Sequence, residues 1–270
     1  KIAELGIWND AGMLSLQGTK VVWAEIAYDA RWARKDYSVI KTYDFNEGKI
    51  KTLTHKTKYA APSLNTEASK IVCVESTPEQ KYSLVILDAQ SGKVLQKIPN
   101  PTNAFLLHPR WTKSDEIVFV KLKDGQKTIT KTDLSGKELA LFTSSQENLA
   151  HPVLNGDSLF FNSGVTGIDN VYLYRLDKQT RYQVTNRKLG GFNPAISKDG
   201  KELIFNNFTK NGHRLAYMPL QDSDLKEVNP SATTRYFGEM MLKEAHQNLL
   251  KQVNRVFLHN HPLSSDSNRS

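Results

Sequence analysis

A chain of 270 residues with 39% hydrophobic and 24% charged residues has the balance of a globular protein that buries a real core, which excludes a disordered polymer. A net charge of +8 would suit acidic partners if it were gathered, but the 36 basic residues are interspersed with 28 acidic ones and form no block of five, which argues against nucleic acid. One cysteine excludes intrachain disulfides and cysteine zinc sites, no run reaches the roughly 18 apolar residues of a membrane helix, and residues 1–8 lack the apolar core of a signal peptide. Because the chain does not start at Met, it reads as a mature or excised piece.

From the N-terminus, β-type runs are predicted at 20–26, 37–43 and 49–54. Between the first two lies an excursion, residues 29–36, with Arg31, Trp32, Arg34 and Lys35. A strand connection has no structural need for so basic and aromatic a loop, so these four are candidate partner-binding residues. An X-Pro step then opens each of four periods: Ala61-Pro62, His108-Pro109, His151-Pro152 and Asn193-Pro194, spaced by 47, 43 and 42 residues. Such a period is the length of a four-stranded propeller blade. After each step come a short strand, an apolar strand, a third strand, a turn and a fourth strand. The second period runs 61–64, 70–75, 82–88 and 93–98, with Cys73 as an inert buried thiol. The third runs 109–111, 116–120, 127–133 and 138–143; the fourth 152–154, 158–161, 170–174 and 181–185; the fifth 194–196, 202–205, 214–217 and 225–228. Asp44, Asp88, Asp133 and Asp177 close the third strands at spacings of 44, 45 and 44. They read as turn residues, since a short carboxylate can accept from exposed backbone N–H groups there.

The fold class is therefore all-β: a β-propeller of about five visible four-stranded blades over 1–229, followed by a tail over 230–270. Blade faces cannot be buried alone, and packing neighbours face to face buries both. A closed five-bladed ring and a six- to eight-bladed ring lacking its first strands both satisfy that logic. In the tail, Phe237, Met241, Ala245 and Leu249 recur at helical spacing, a strand is predicted at 255–258, and 264–270 is polar.

Residues 190–205, Gly-Gly-Phe-Asn-Pro-Ala-Ile-Ser-Lys-Asp-Gly-Lys-Glu-Leu-Ile-Phe, resemble the P-x-x-S-x-D-G-K-x-I-x-F blade-opening motif of TolB-like propellers, and His108-Pro-Arg-Trp111 is a variant of it. Residues 167–172 and 182–188 resemble the propeller segment of large Gram-negative envelope proteins in which the ring precedes an outer-membrane surface-antigen type barrel; residues 256–261 faintly resemble the start of the segment between ring and barrel there. The resemblance covers about residues 15–229. It implies a periplasmic or outer-membrane-associated location, protein contacts and a barrel in the same parent polypeptide, but carries over no catalytic residue. Ser114-Asp115, Asn155-Gly156 and Thr66-Glu67 depart from the Asp-Gly of the motif.

No Gly-x-Ser-x-Gly elbow, HExxH motif, phosphate loop or EF-hand spacing occurs. His108 and His151, with Asn193 at the same repeat phase, are expected near a channel mouth, bonded to blade loops as a polar rim; a metal would need a third donor, and Ala61 offers none. Arg110 shares that inner strand as a recognition candidate, whereas Trp111 reads as core packing. His259 and His261 lack a third ligand and read as a chance pair. The expected function is a non-catalytic binding module of the envelope, with no cofactor and no assigned metal, docking a protein, peptide or glycan through blade loops and channel mouth. The alternative is a metal-assisted propeller hydrolase or lyase acting on a sugar or lactone, recognisable by three or more convergent acids, amides or imidazoles.

Overall fold

The structure, a computed structural model, describes Gly6, residues 14–32 and residues 35–229. Arg34, the tail from 230 onward and the His259/His261 pair lie outside the described residues.

The alternating apolar runs form antiparallel sheets in chain order. Blade one is β1 (Ser15–Gln17), β2 (Lys20–Tyr28), β3 (Asp36–Asp44) and β4 (Lys49–Thr52). Blade two is β5 (Tyr59–Leu64), β6 (Lys70–Ser76), β7 (Tyr82–Asp88) and β8 (Val94–Ile98). Blade three is β9 (Phe105–Trp111), β10 (Ile117–Lys123), β11 (Gln126–Thr132) and β12 (Glu138–Ser144). Blade four is β13 (Ala150–Asn155), β14 (Ser158–Ser163), β15 (Asn170–Arg175) and β16 (Thr180–Gln183). Blade five has, among the described residues, β17 (Gly191–Ile196), β18 (Glu202–Thr209) and β19 (Gly212–Pro219). The result is an all-β, five-bladed propeller with its first strands side by side: β1 against β5, β5 against β9, β9 against β13 and β13 against β17.

Two predicted details need correction. Blade one gains an inner strand, β1, too short to register as a β run. The fourth strand expected for blade five, 225–228, pairs elsewhere: β20 (Lys226–Glu227) joins β16, with Glu227 opposite Tyr182 and Lys226 opposite Gln183, and the Val228 N–H donates to the Arg181 carbonyl at 2.9 Å. A two-residue strand carries too little pattern to specify its neighbour, so the outer edge of blade four captures it.

Because successive side chains point to opposite sheet faces, each middle strand feeds two cores. Ile71 and Cys73 pack toward Val22 and Ile40 of blade one, while Val72 and Val74 pack toward Ile117 and Phe119 of blade three. The pattern repeats at the next two junctions, through Val118, Val120 and Phe161, then through Phe160, Leu173, Leu203 and Phe205. Burial pushes the Cys73 thiol far up, which makes it inert. Blade five departs from this: Leu203 and Phe205 are buried, but Ile204, Leu215 and Tyr217 on its other face are 45%, 80% and 60% exposed.

Three of the four aspartates act as turn acceptors. Asp44 accepts from Asn46 N–H, Asp88 from the N–H groups of Gln90 and Ser91, and Asp133 from those of Ser135 and Lys137. Asp177 sits in the corresponding turn. At the turns that depart from Asp-Gly, Ala68, Asp115 and Gly156 still take the left-handed conformation of Gly200, with φ of 54°, 56°, 59° and 77°. The turn geometry therefore outlasts its usual sequence.

Candidate functional site at the inner strands

The X-Pro step is a β-bulge. Ala61, His108, His151 and Asn193 all take left-handed backbone, with φ of 52°, 50°, 50° and 53°, and the ladder to the second strand slips at each of these positions. Proline has no N–H to give a ladder, so it is tolerated where the ladder breaks. Left-handed backbone costs a residue with a side chain about 1–2 kcal/mol, and the bulge re-aims that side chain.

At blades three and four this brings two imidazoles together. The His108 and His151 rings stack with centroids 4.0 Å apart, and the His151 backbone N–H donates to His108 Nδ1 at 3.3 Å. In place of the expected bonds to blade loops, the rings meet each other, because the two bulges sit at the same height on adjacent inner strands. Burial, then the Arg110 and Lys127 charges, push the His108 pKa down to about 4. Burial, His108 and Arg110 hold His151 well below the usual imidazole range. Both are neutral at pH 7, and His108, accepting at Nδ1, carries its proton on Nε2. His151 Nδ1 and Arg110 Nε are enclosed without a hydrogen-bond partner. At the equivalent step in blade five, Asn193 N–H donates to Asn162 Oδ1 at 2.9 Å.

Beyond the bulges, the C-terminal ends of the inner strands of all five blades line one cavity of about 370 Å³. Arg110 reaches it from β9. Lys113, in the turn after β9, donates from Nζ to the Lys198 carbonyl at 2.5 Å, linking blades three and five. Trp111 packs against the junction of blades two and three, and its Nε1 donates to the Ser63 carbonyl at 3.1 Å. His108 also borders a depression of about 440 Å³ between blades two and three, with Phe105 and Tyr82.

The basic loop lies apart from this cavity. Asp29 accepts from the N–H groups of Arg31 (2.9 Å) and Trp32 (3.2 Å) and from the Tyr37 hydroxyl (3.1 Å), which holds its carboxyl below the usual range, the Arg31 N–H contributing most. Lys35 N–H donates to the Trp32 carbonyl, and Trp32 is 61% exposed. Arg31 and Lys35 are exposed as well. Thus His108, His151 and Arg110 come together, Asn193 occupies the equivalent step two blades on from His108, and Arg31, Trp32 and Lys35 form a separate patch. Lys113 and Lys198 escape a reading of the sequence because a lysine in a turn carries no pattern; only their repeat phase, just past the inner strands, could have drawn attention. Among the described residues no three His, Cys, Asp or Glu side chains gather to hold a metal.

No protein-family model matches the chain, and no curated protein matches it. Among solved structures, it is similar to putative TolB from Agrobacterium tumefaciens, with a TM-score of 0.61 at 13% identity over 79% of this chain and 78% of that one. TolB from Acinetobacter baumannii gives 0.57 at 16% identity over 72% of this chain and 49% of that one, so the chain spans about half the length of that protein. Oligogalacturonate lyase from Vibrio parahaemolyticus gives 0.55 at 13% identity over 80% and 67%. At such identities the likeness shows a TolB-like propeller fold, and a fold hosts many activities.

Proposed function

We propose that this propeller is a non-catalytic binding module of the bacterial cell envelope, docking a protein, peptide or glycan through blade loops and channel mouth. The observation that carries this reading is Trp32, 61% exposed on a loop whose backbone is held by Asp29 and flanked by Arg31 and Lys35. A large aromatic that is already ordered loses little freedom on docking, and aromatic and Arg side chains dominate interface energies. The envelope placement rests on the blade-motif resemblance. The metal-assisted hydrolase or lyase needs three or four convergent donors. His108 and His151 supply two, and Nδ1 of His108 already accepts the His151 N–H.

The test places a photo-crosslinking residue at position 32 and, as control, at Leu95, an exposed site on the outer strand of blade two. Exposure of the 270-residue protein to periplasmic extract should give discrete adducts at position 32 alone, and Trp32→Ala should weaken capture of the same component by about 30-fold or more. Equal adducts at both positions, or turnover of a sugar acid or lactone abolished by His108→Ala, would overturn the reading.

A further inference from the structure

We propose that the cavity at the ends of the inner strands is a carboxylate-binding site, in which the Arg110 guanidinium takes the carboxylate of a ligand whose aliphatic body lies against the channel wall. This names a ligand class for the binding module proposed above and rests on that reading.

Three observations converge. First, among the described residues the lining includes three cations, Arg110, Lys113 and Lys198, and no Asp or Glu. Second, the Arg110 side chain stands alone: no hydrogen bond or ion pair to its guanidinium occurs among the described residues, and its Nε is enclosed without a partner. Elsewhere sheltered cations such as Lys41, Lys131 and Arg181 are paired with Glu25, Glu116 and Glu147. A sheltered guanidinium without an anion is disfavoured, so a ligand carboxylate would supply what the fold leaves out. The neighbouring imidazoles are neutral and do not compete for it. Third, Leu16, Leu64, Leu154 and Ile196 give the same cavity aliphatic walls, and its volume of about 370 Å³ suits a small organic ligand.

The chemistry favours a carboxylate over phosphate. Lys113 is engaged by the Lys198 carbonyl and Lys198 itself is exposed, which leaves Arg110 as the sheltered cation, with a guanidinium fork that is the planar match for a single carboxylate. An aliphatic wall likewise favours an apolar body over a bare inorganic ion.

The test is calorimetric titration of the 270-residue protein at low salt with N-acetyl-leucine, its neutral amide, inorganic phosphate and trileucine with a free carboxyl terminus. The acid should bind at least about tenfold more tightly than the amide and than phosphate, and Arg110→Gln should reduce the acid to the level of the amide. Trileucine tighter than N-acetyl-leucine assigns a peptide terminus as the source; equal affinities assign a free small acid. Arg110→Met, which removes an unpaired charge, should melt no lower than the parent. Equal binding of acid and amide, phosphate as tight as the acid, no saturation by either carboxylate up to about 20 mM, or a large loss of melting temperature in Arg110→Met would each overturn the site. Trp32→Ala should leave N-acetyl-leucine binding unchanged. Failure at Arg110 with Trp32-dependent capture intact would therefore sink the carboxylate site and not the binding module.

Discussion

Removing the Glu147 carboxylate should unlock the junction of blades three and four. Glu147 lies in the connection between β12 and β13, and its Oε1 accepts from Arg181 Nη1 of β16 at 2.9 Å. Arg181 Nη2 also lies 2.9 Å from Oε2, close enough for ion pairing but without hydrogen-bond alignment, and the Ser163 hydroxyl donates to Oε2 at 2.5 Å. Both side chains are at most 9% exposed. The guanidinium further lies 4.1 Å from the Tyr172 ring centroid and 5.6 Å from that of Phe142, one ring in each blade. In Glu147→Ala, Arg181 would remain desolvated over aromatic rings with no anion, the circumstance in which breaking a buried pair costs about 3–5 kcal/mol. For a domain of this size that corresponds to a fall in melting temperature of about 6–20 °C, read by calorimetry or circular dichroism. The double variant Glu147→Leu/Arg181→Met, which removes both charges, should recover most of the loss. A loss below about 1 kcal/mol in Glu147→Ala, or no recovery in the double variant, would refute the claim that a desolvated, mutually dependent pair holds this junction.

Three further outcomes are expected from the same structure. The depressed His108 pKa means that the unfolded chain takes up a proton near pH 6.5 while the folded chain waits until about pH 4; stability is intact above pH 6.5 and falls as pH drops through that window, by about 2 kcal/mol at pH 5 from His108 alone. His108→Asn should flatten this slope in urea titrations at pH 5 and 7, and an unchanged slope would place the linkage elsewhere. Leu203→Ala, on the buried face of blade five, should lose about 2–5 kcal/mol, whereas Leu215→Ala on the exposed face should lose under about 1; equal losses would mean that the exposed face is covered in solution. Gly92→Ala should destabilise far more than Gly125→Ala: both glycines have positive φ, but a Cβ at 92 would sit 2.2 Å from the Leu53 carbonyl oxygen of blade one, while at 125 it meets open space.

The blade period was legible because it is written locally. Proline at a fixed phase, alternation of apolar residues and an aspartate before each turn are nearest-neighbour effects, and they placed the strands of blades two to four closely. Blade one was read without β1, whose three residues are too few for an alternation to show. The candidate site was legible in part. The phase of His108, His151 and Asn193 marked the inner strands, yet that this phase is a left-handed bulge, and that it stacks the two rings, required the register of each ladder.

What the sequence by itself determined is the unit: a stretch of about 42–47 residues that must fold as a small twisted sheet with two apolar faces. How the units meet was decided by tertiary structure alone. The pairing of β20 with β16, the link from Lys113 to Lys198 across 85 positions, the Glu147–Arg181 pair and the lack of a partner for the Arg110 side chain among the described residues all depend on which strand ends are brought together. A sequence shows a cation; whether a carboxylate lies within reach depends on the three-dimensional neighbours the fold assigns to it, and among the described residues none is assigned to the Arg110 side chain.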